Sequence, residues 1–224
     1  KERCFMFKNR LDAAKHLAKV LQRYHGANPL VLGIPRGAVP MAQLIAQQLN
    51  GEMDVVLVRK LRAPLMPEVA VGAIDANGKT CVAPYAHEMG ADATYLQKEQ
   101  NTQLALLQRR RQQYDAIRQA VNVVHRTVIV VDDGLATGAT MIAALQFIRQ
   151  QKPARLVCAV PVASPEALEK VRPWADELVC LFAPTDFQGV GQFYSDFGQV
   201  EDKDVLNSLR QVFGSPPKYH PPKP

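Results

Sequence analysis

Short runs of branched apolar residues alternate along this chain with stretches whose apolar positions recur every three or four residues. Leu11, Ala14, Leu17 or Ala18, and Leu21 keep the helical interval. Asn9 stands where an N-cap belongs and Gly26 where a helix would stop, so the pattern predicts an amphipathic first helix. Pro29 to Ile34 (PLVLGI) has strand length, turns at Pro35-Arg36-Gly37 and gives way to a helical pattern, AVPMAQLIAQQLN, that ends at Gly51. Asp54 to Val58 (DVVLV) predicts a second buried strand that delivers Arg59-Lys60 to its carboxyl end. From Leu61 to about Tyr85 the pattern is a loop and then a hairpin, VAVGAI and TCVAPY joined at Asn77-Gly78.

A long polar helix is expected from Asp92 to about Val121, with Leu96, Leu104 and Leu107 on one side. Its triplet Arg109-Arg110-Arg111 reads more simply as a solvated face than as a phosphate contact. A strand from Val128, a helix through MIAALQFIRQQ, a strand from Arg155 to Val162, a helix near Pro165 to Val171 and a strand from Glu177 to Phe182 complete the alternation. Such an order predicts an α/β fold, an open parallel sheet flanked by helices on both faces, with a small hairpin region added. Ligands of open sheets bind at the carboxyl ends of the strands. Beyond the last strand, Phe187, Phe193, Tyr194 and Phe197 gather around Gly189, Gly191 and Gly198. They form either a hood over a planar base or the small core of an appendage spanning about 184–213. Residues 1–213 are expected to make one domain, and the proline-rich 214–224 a flexible tail.

A length of 224 residues suits one sizeable α/β domain. The net charge of +6 fits a phosphorylated ligand or nucleic acid, and equally an ordinary enzyme. Cys4, Cys81, Cys158 and Cys180 form no Cys-x-x-Cys pair, and the histidines lack metal-ligand spacing, which argues against a structural zinc site. Cys158 and Cys180 sit in apolar runs as small hydrophobes, and reduced, cytoplasmic residence is the expectation. No apolar run approaches the roughly 20 residues that span a bilayer, and KERCFMFKNR has no signal-peptide core. With Lys rather than Met first, the chain is expected to lack its start or to have been processed.

The chemistry concentrates in Val128 to Thr140, VIVVDDGLATGAT. An apolar strand ends at Asp132-Asp133 and a small-residue loop leads directly into a helix. Small residues let backbone N–H groups turn toward one anion, threonine hydroxyls add donors, and the helix N-terminus adds favourable potential. The loop is neither a Walker A sequence nor Gly-x-Gly-x-x-Gly. Paired carboxylates would repel a phosphate placed on them, so their partners are neutral hydroxyls or a cation. A sugar phosphate satisfies both halves of the segment.

This segment resembles the phosphoribosyl-pyrophosphate (PRPP) motif of type I phosphoribosyltransferases. The resemblance implies that Asp132 and Asp133 hold the ribose 2- and 3-hydroxyls, and that Ala136, Thr137, Gly138, Ala139 and Thr140 wrap the 5-phosphate. Pro35-Arg36-Gly37-Ala38 is similar to the family's pyrophosphate loop, which gives Arg36 and Gly37 that role, although Pro-Arg-Gly also makes a plain turn. Arg59-Lys60 with LRAPLMPE resembles the strand end and mobile catalytic loop, whose cations would neutralise the departing pyrophosphate. A solvated basic loop is the plainer reading. Glu68 could act as acid or base toward a nucleobase, or simply pair with a neighbouring charge. Together GIPRGAVP, VVLVRKLRAPLMPEVAVGAI, VDDGLATGAT and FYSDFGQV look like a bacterial group of phosphoribosyltransferases, over nearly the whole chain. That label rests on fold and motif in most members, so it defines the family more than the substrate.

Ala136 departs from the hypoxanthine-guanine enzymes, which carry an aspartate there, so a 6-oxopurine acceptor is disfavoured while adenine and uracil patterns stay open. The resemblance implies a magnesium-dependent enzyme of nucleotide metabolism acting on PRPP and a nitrogen acceptor, with small-molecule partners and a homodimer as the family habit. How the aspartates relate to the metal is open. A regulator that senses PRPP or a nucleotide without turnover is the competing reading, and a sugar-phosphate hydrolase is a third. Arg36, Arg59 and Lys60 at leaving-group positions favour the enzyme, and the lack of a helix-turn-helix argues against nucleic acid.

Overall fold

Five apolar runs become five parallel strands, Leu30–Gly33 (β1), Glu52–Val55 (β2), Thr127–Val131 (β6), Arg155–Val162 (β7) and Glu177–Phe182 (β8). They lie in the order β2-β1-β6-β7-β8 in a computed structural model that describes residues 6–67, 69–117 and 120–212. The strands read as continuous apolar runs because helices cover both faces. Val31, Ile129, Val131, Val157 and Ala159 point to one side and pack with Arg10–Val20 (α1), Val39–Leu49 (α2) and Asp202–Val212 (α6). Leu30, Leu32, Val128, Val130, Leu156 and Cys158 point to the other, against Ala139–Gln150 (α4) and Pro165–Val171 (α5). This alternation is the two-residue period of a strand. The open sheet flanked by helices is as expected.

The segment Asp54 to Val58 departs from expectation. Strand β2 stops at Val55, and Val58–Arg62 (β3) opens a separate antiparallel sheet, β3-β4-β5, with Ala70–Asp75 (β4) and Thr80–Val82 (β5). Val56 and Leu57 are buried as the chain crosses between the sheets, so no polar residue marks the break. Arg59 and Lys60 therefore lie inside β3, opposite Ile74 and Ala73, rather than in a loop beyond a parallel strand. The buried Asp54 accepts from the N–H groups of Val55 and Val121, both at 2.8 Å, which satisfies a carboxylate buried within β2.

Capping residues set several helix starts. Asn9 accepts from Asp12 N–H at 3.0 Å, and Ser164 from Ala167 N–H at 3.1 Å. Asp92 accepts from Tyr95 N–H at 2.7 Å and starts Ala93–Asp115 (α3), which ends six residues short of the expected Val121. Leu11 is 45% exposed rather than in the core, and the buried stripe of α1 is Ala13, Ala14, Leu17 and Ala18. Gly26 stops the first helical segment as expected, in a left-handed conformation (φ 76°) after a 3₁₀ turn at Leu21–Tyr24. Cys158 is buried, while Cys180 is only half-buried. Among the described residues, no helix is long and apolar enough to cross a membrane. Cys4, Glu68 and the tail 214–224 lie outside the described residues.

Candidate active site

The parallel sheet delivers two loops to its carboxyl edge, one after β1 and one after β6. After Val131 come Asp132 and Asp133, then a loop that enters α4 at Ala139. The loop is pinned from behind. Leu135 N–H donates to Val162 O (2.9 Å), Ser164 N–H to Leu135 O (3.0 Å), and the Ser164 hydroxyl to Ala136 O (2.9 Å). Gly138 is left-handed (φ 76°), and a β-carbon there would approach Val171 Cγ2 to 2.8 Å, so both conformation and space require glycine. Thr137 Oγ1 accepts from Ala139 N–H at 3.4 Å. Among the described residues, no protein group accepts from the N–H groups of Ala136, Thr137 or Gly138. Those donors, on carbonyl-anchored backbone at a helix N-terminus, have the makings of an anion cradle.

Each aspartate has one oxygen committed inside the protein. Asp132 Oδ1 accepts from Asp133 N–H at 2.9 Å, and Asp133 Oδ2 accepts from Arg10 Nε at 2.8 Å. Asp132 Oδ2 and Asp133 Oδ1 accept from no described residue. Burial holds the Asp132 carboxyl well above the usual carboxylate range, and the Asp133 charge adds to this against the opposing Asp133 N–H and Arg10. The Tyr194 hydroxyl donates to the backbone O of Asp133 at 2.7 Å, and burial pushes that phenol up as well.

The β1 loop touches this pair. A β-carbon on Gly37 would clash with Asp133 Oδ2 and lie 3.0 Å from Arg10 Nε, so glycine lets the loop lie against the carboxylate as it stands. The Pro35-Arg36 peptide is cis. Arg36 itself turns toward α6, with Nη1 4.0 Å from Asp202 Oδ1.

A cavity of about 170 Å³ lies beside Pro35 and is lined on its polar side by Arg59, Lys60, Arg62, Arg110 and Thr140. Arg59 Nε donates to Gln103 Oε1 at 2.5 Å. Burial lowers the Arg59 pKa, Arg110 and Arg62 lower it further, and Glu99 opposes them. Cations crowded beyond their carboxylate supply make a wall suited to a polyanion. The structure thus brings Lys60, Arg59 and Thr140 to one cleft and sets Gly37 against Asp133, while Arg36 does not line that cleft. Arg10 was not a candidate from sequence, Arg62 entered only within LRAPLMPE, and Arg110 belonged to a triplet read as a solvated face. Arg110 shares a helix face with Leu107 and Tyr114, both buried, and that three- and four-residue spacing was the available signal.

The aromatic residues after β8 build the appendage's own core. Phe193 and Tyr194 are buried, Phe187 stacks on Phe193 (5.6 Å between ring centres), and Phe7 joins from the N-terminal segment, 5.6 Å from Tyr194. Phe197 lies 4.9 Å from the Tyr194 ring and 3.8 Å from the Arg10 guanidinium, so a base stacking on it would compete with these contacts. Among the described residues, no three or more His, Cys, Asp or Glu side chains cluster as a metal cage.

The phosphoribosyl transferase domain model matches residues 6–197. Two Mycobacterium tuberculosis proteins, of strains CDC 1551 and H37Rv and each named "Putative phosphoribosyl transferase", are 38% identical over 205 residues, 91% of this chain. The chain spans 46%, about half, of the length of these relatives. The crystal structure of TT1426 from Thermus thermophilus is similar with a TM-score of 0.85 at 45% identity, covering 92% of this chain and 98% of that one. Because the matched region takes in both loops, both aspartates and the aromatic appendage as far as Phe197, the chain belongs to the phosphoribosyl transferase domain family, of the type I kind.

Proposed function

We propose that this domain transfers the phosphoribosyl group of magnesium-bound PRPP to a nitrogen nucleophile and releases pyrophosphate. The observation that carries this reading is the pair of uncommitted oxygens, Asp132 Oδ2 and Asp133 Oδ1, at the end of β6 beside a loop of unpaired N–H donors. Two acceptors match the two vicinal hydroxyls of a ribose. The adjoining donors of Ala136 to Gly138 and the Thr140 hydroxyl suit its 5-phosphate. Arg59, Lys60, Arg62 and Arg110 then receive the pyrophosphate, with Gly37 giving it close backbone approach.

Chemistry at such a site is positioning and charge. The bond from the ribose anomeric carbon to pyrophosphate breaks, its electrons leave with pyrophosphate, and the acceptor nitrogen supplies the new pair and loses its proton. Cations at the leaving-group end stabilise charge as it develops there, and the carboxylates favour the cationic ribose, so no covalent nucleophile is needed. Magnesium fits this donor set as a guest of the substrate. Asp132 and Asp133 would support such an ion from the edge of the sheet, and when bound it would neutralise charge on the pyrophosphate. Ala136 offers no side-chain acceptor to a base, which disfavours 6-oxopurines and makes other nucleobases the acceptors to test first.

Calorimetric titration with Mg-PRPP, followed by a pyrophosphate-release screen over nucleobases and simple amines, tests the proposal. Binding and release with at least one acceptor are expected. Absence of Mg-PRPP binding overturns the reading, and binding without release for any acceptor makes the domain a sensor instead. The double variant Asp132→Asn, Asp133→Asn is expected to fold and to bind Mg-PRPP more weakly, and unchanged affinity would refute the ribose assignment.

A further inference from the structure

Arg10 is the first residue of α1, 123 positions from the aspartate it holds. Its side chain is 14% exposed and that of Asp133 is 17% exposed, so the pair is largely shielded from water. The guanidinium is held from several sides. Nε donates to Asp133 Oδ2 at 2.8 Å, Nη1 donates to the carbonyl O of Gly198 at 2.5 Å, and the plane lies over the Phe197 ring at 3.8 Å. The same carboxylate oxygen lies against Gly37, too close to admit a side chain there, so the pair is wedged between the β1 loop and the aromatic appendage. Tyr194 adds a second tie from that appendage to the Asp133 backbone, at 2.7 Å.

We infer that Arg10 is a positioning residue for phosphoribosyl transfer: by taking Oδ2 of Asp133 it leaves Oδ1 as the single acceptor presented to a ribose hydroxyl, and it makes that arrangement depend on the seating of the appendage. This rests on the reading of Asp132 and Asp133 as ribose ligands. The geometry supplies the reason such a residue is required. Two neighbouring carboxylates at a strand end repel each other, and an unpartnered Asp133 would turn from Asp132 or be hydrated at both oxygens. With Nη1 taken by a carbonyl and the plane laid on an aromatic face, this guanidinium meets Asp133 through Nε and one carboxylate oxygen. Lysine has the charge but neither the planar fork nor the stacking surface, so it would neutralise Asp133 without setting its rotation.

The test compares Arg10→Gln and Arg10→Lys with the unaltered protein in calorimetric titrations with two probes, Mg-PRPP and magnesium pyrophosphate. Losing a charge-assisted bond to the ribose ligand should weaken Mg-PRPP binding about tenfold in Arg10→Gln, with Arg10→Lys recovering part of the loss. Pyrophosphate affinity should fall by a clearly smaller factor than Mg-PRPP affinity, because its cations Arg59, Lys60, Arg62 and Arg110 lie on β3 and α3 and only Gly37 of its proposed contacts lies beside Arg10. A general disruption of the fold would weaken both probes together and would overturn the inference. So would Mg-PRPP affinity in Arg10→Gln equal to that of the unaltered protein. If the unaltered protein binds pyrophosphate but not Mg-PRPP, the reading of the aspartates as ribose ligands fails and this inference falls with it.

Discussion

Replacing Gly37 by alanine adds one methyl group at the point where the two loops of the site meet. The added carbon would clash with Asp133 Oδ2, and it would sit 3.2 Å from Asp133 Cγ and 3.0 Å from Arg10 Nε. Gly37 is not among the residues of positive φ, so its backbone suits alanine and the cost is steric alone. Something must move. If the carboxylate turns, the 2.8 Å bond to Arg10 is lost, and a hydrogen bond to a charged group contributes about 1.5–3 kcal/mol. If the loop shifts instead, overpacking costs about 1–3 kcal/mol and carries the peptide N–H groups away from the leaving group. Either route weakens Mg-PRPP binding by about tenfold to a hundredfold, at 1.4 kcal/mol per factor of ten. Calorimetry with Mg-PRPP measures the loss, with Gly26→Ala as the contrast. Gly26 has open space around its would-be β-carbon but φ of 76°. Alanine there should cost about 1–2 kcal/mol of stability and leave ligand affinity alone. Wild-type affinity in Gly37→Ala would refute a role in binding for the contact between the β1 loop and Asp133.

Two further outcomes follow from buried polar groups. Because Asp132 is held above the usual carboxylate range, its proton binds more tightly in the folded chain than in the unfolded one. The stability this supplies is complete below the ordinary pKa of about 4 and is lost as pH rises through the raised value. Asp132→Asn cannot ionise, so it should melt higher than the unaltered protein at neutral pH, with the gap closing toward about pH 3. Parallel melting curves across that range would show that Asp132 is not strained by ionisation. The Tyr114 hydroxyl is buried with no hydrogen-bond partner among the described residues, and burial pushes its pKa up to about 12. Tyr114→Phe should therefore be neutral or stabilising by up to about 1 kcal/mol in urea unfolding, and a clear destabilisation would mean that the hydroxyl has a partner.

What was legible in the sequence was local. The strands Arg155–Val162 and Glu177–Phe182 and the helix Pro165–Val171 could be bounded to the residue, because capping residues and breaks in apolar runs coincide with their ends. Loop chemistry around Asp132 was equally readable, since small residues, acids and threonines are contiguous there. The break between β2 and β3 was not, because Val56 and Leu57 stay buried while the chain changes sheets, and burial alone cannot distinguish a strand from a crossing. Arg10 was invisible for the opposite reason. Its partners, Asp133, Phe197 and Gly198, lie more than a hundred residues away, and nothing beside it in the chain marks it. Arg110 sat in a triplet that looks solvated, and only the helix phase set by Leu107 and Tyr114 turns it toward the cleft.

The two ends of the site come from different parts of the architecture, and this separation is itself an argument about how the fold works. The acids and the proposed phosphate loop belong to the parallel sheet, at the end of β6 and the start of α4. The crowded cations, Arg59, Lys60, Arg62 and Arg110, come from the antiparallel sheet and α3, which are inserted in the chain between β2 and β6. Opposite charges are thus held on separate sheets that share one core, with Ile34, Val56, Leu57 and Val58 lining the apolar side of the cationic cleft. Had the cations been set on the parallel sheet beside Asp132 and Asp133, they would have formed ion pairs and left neither end available. Arg10 is the exception that obeys the same logic: its guanidinium is held by Asp133, Gly198 and Phe197, so it neutralises one acid without competing for the ligand's phosphates.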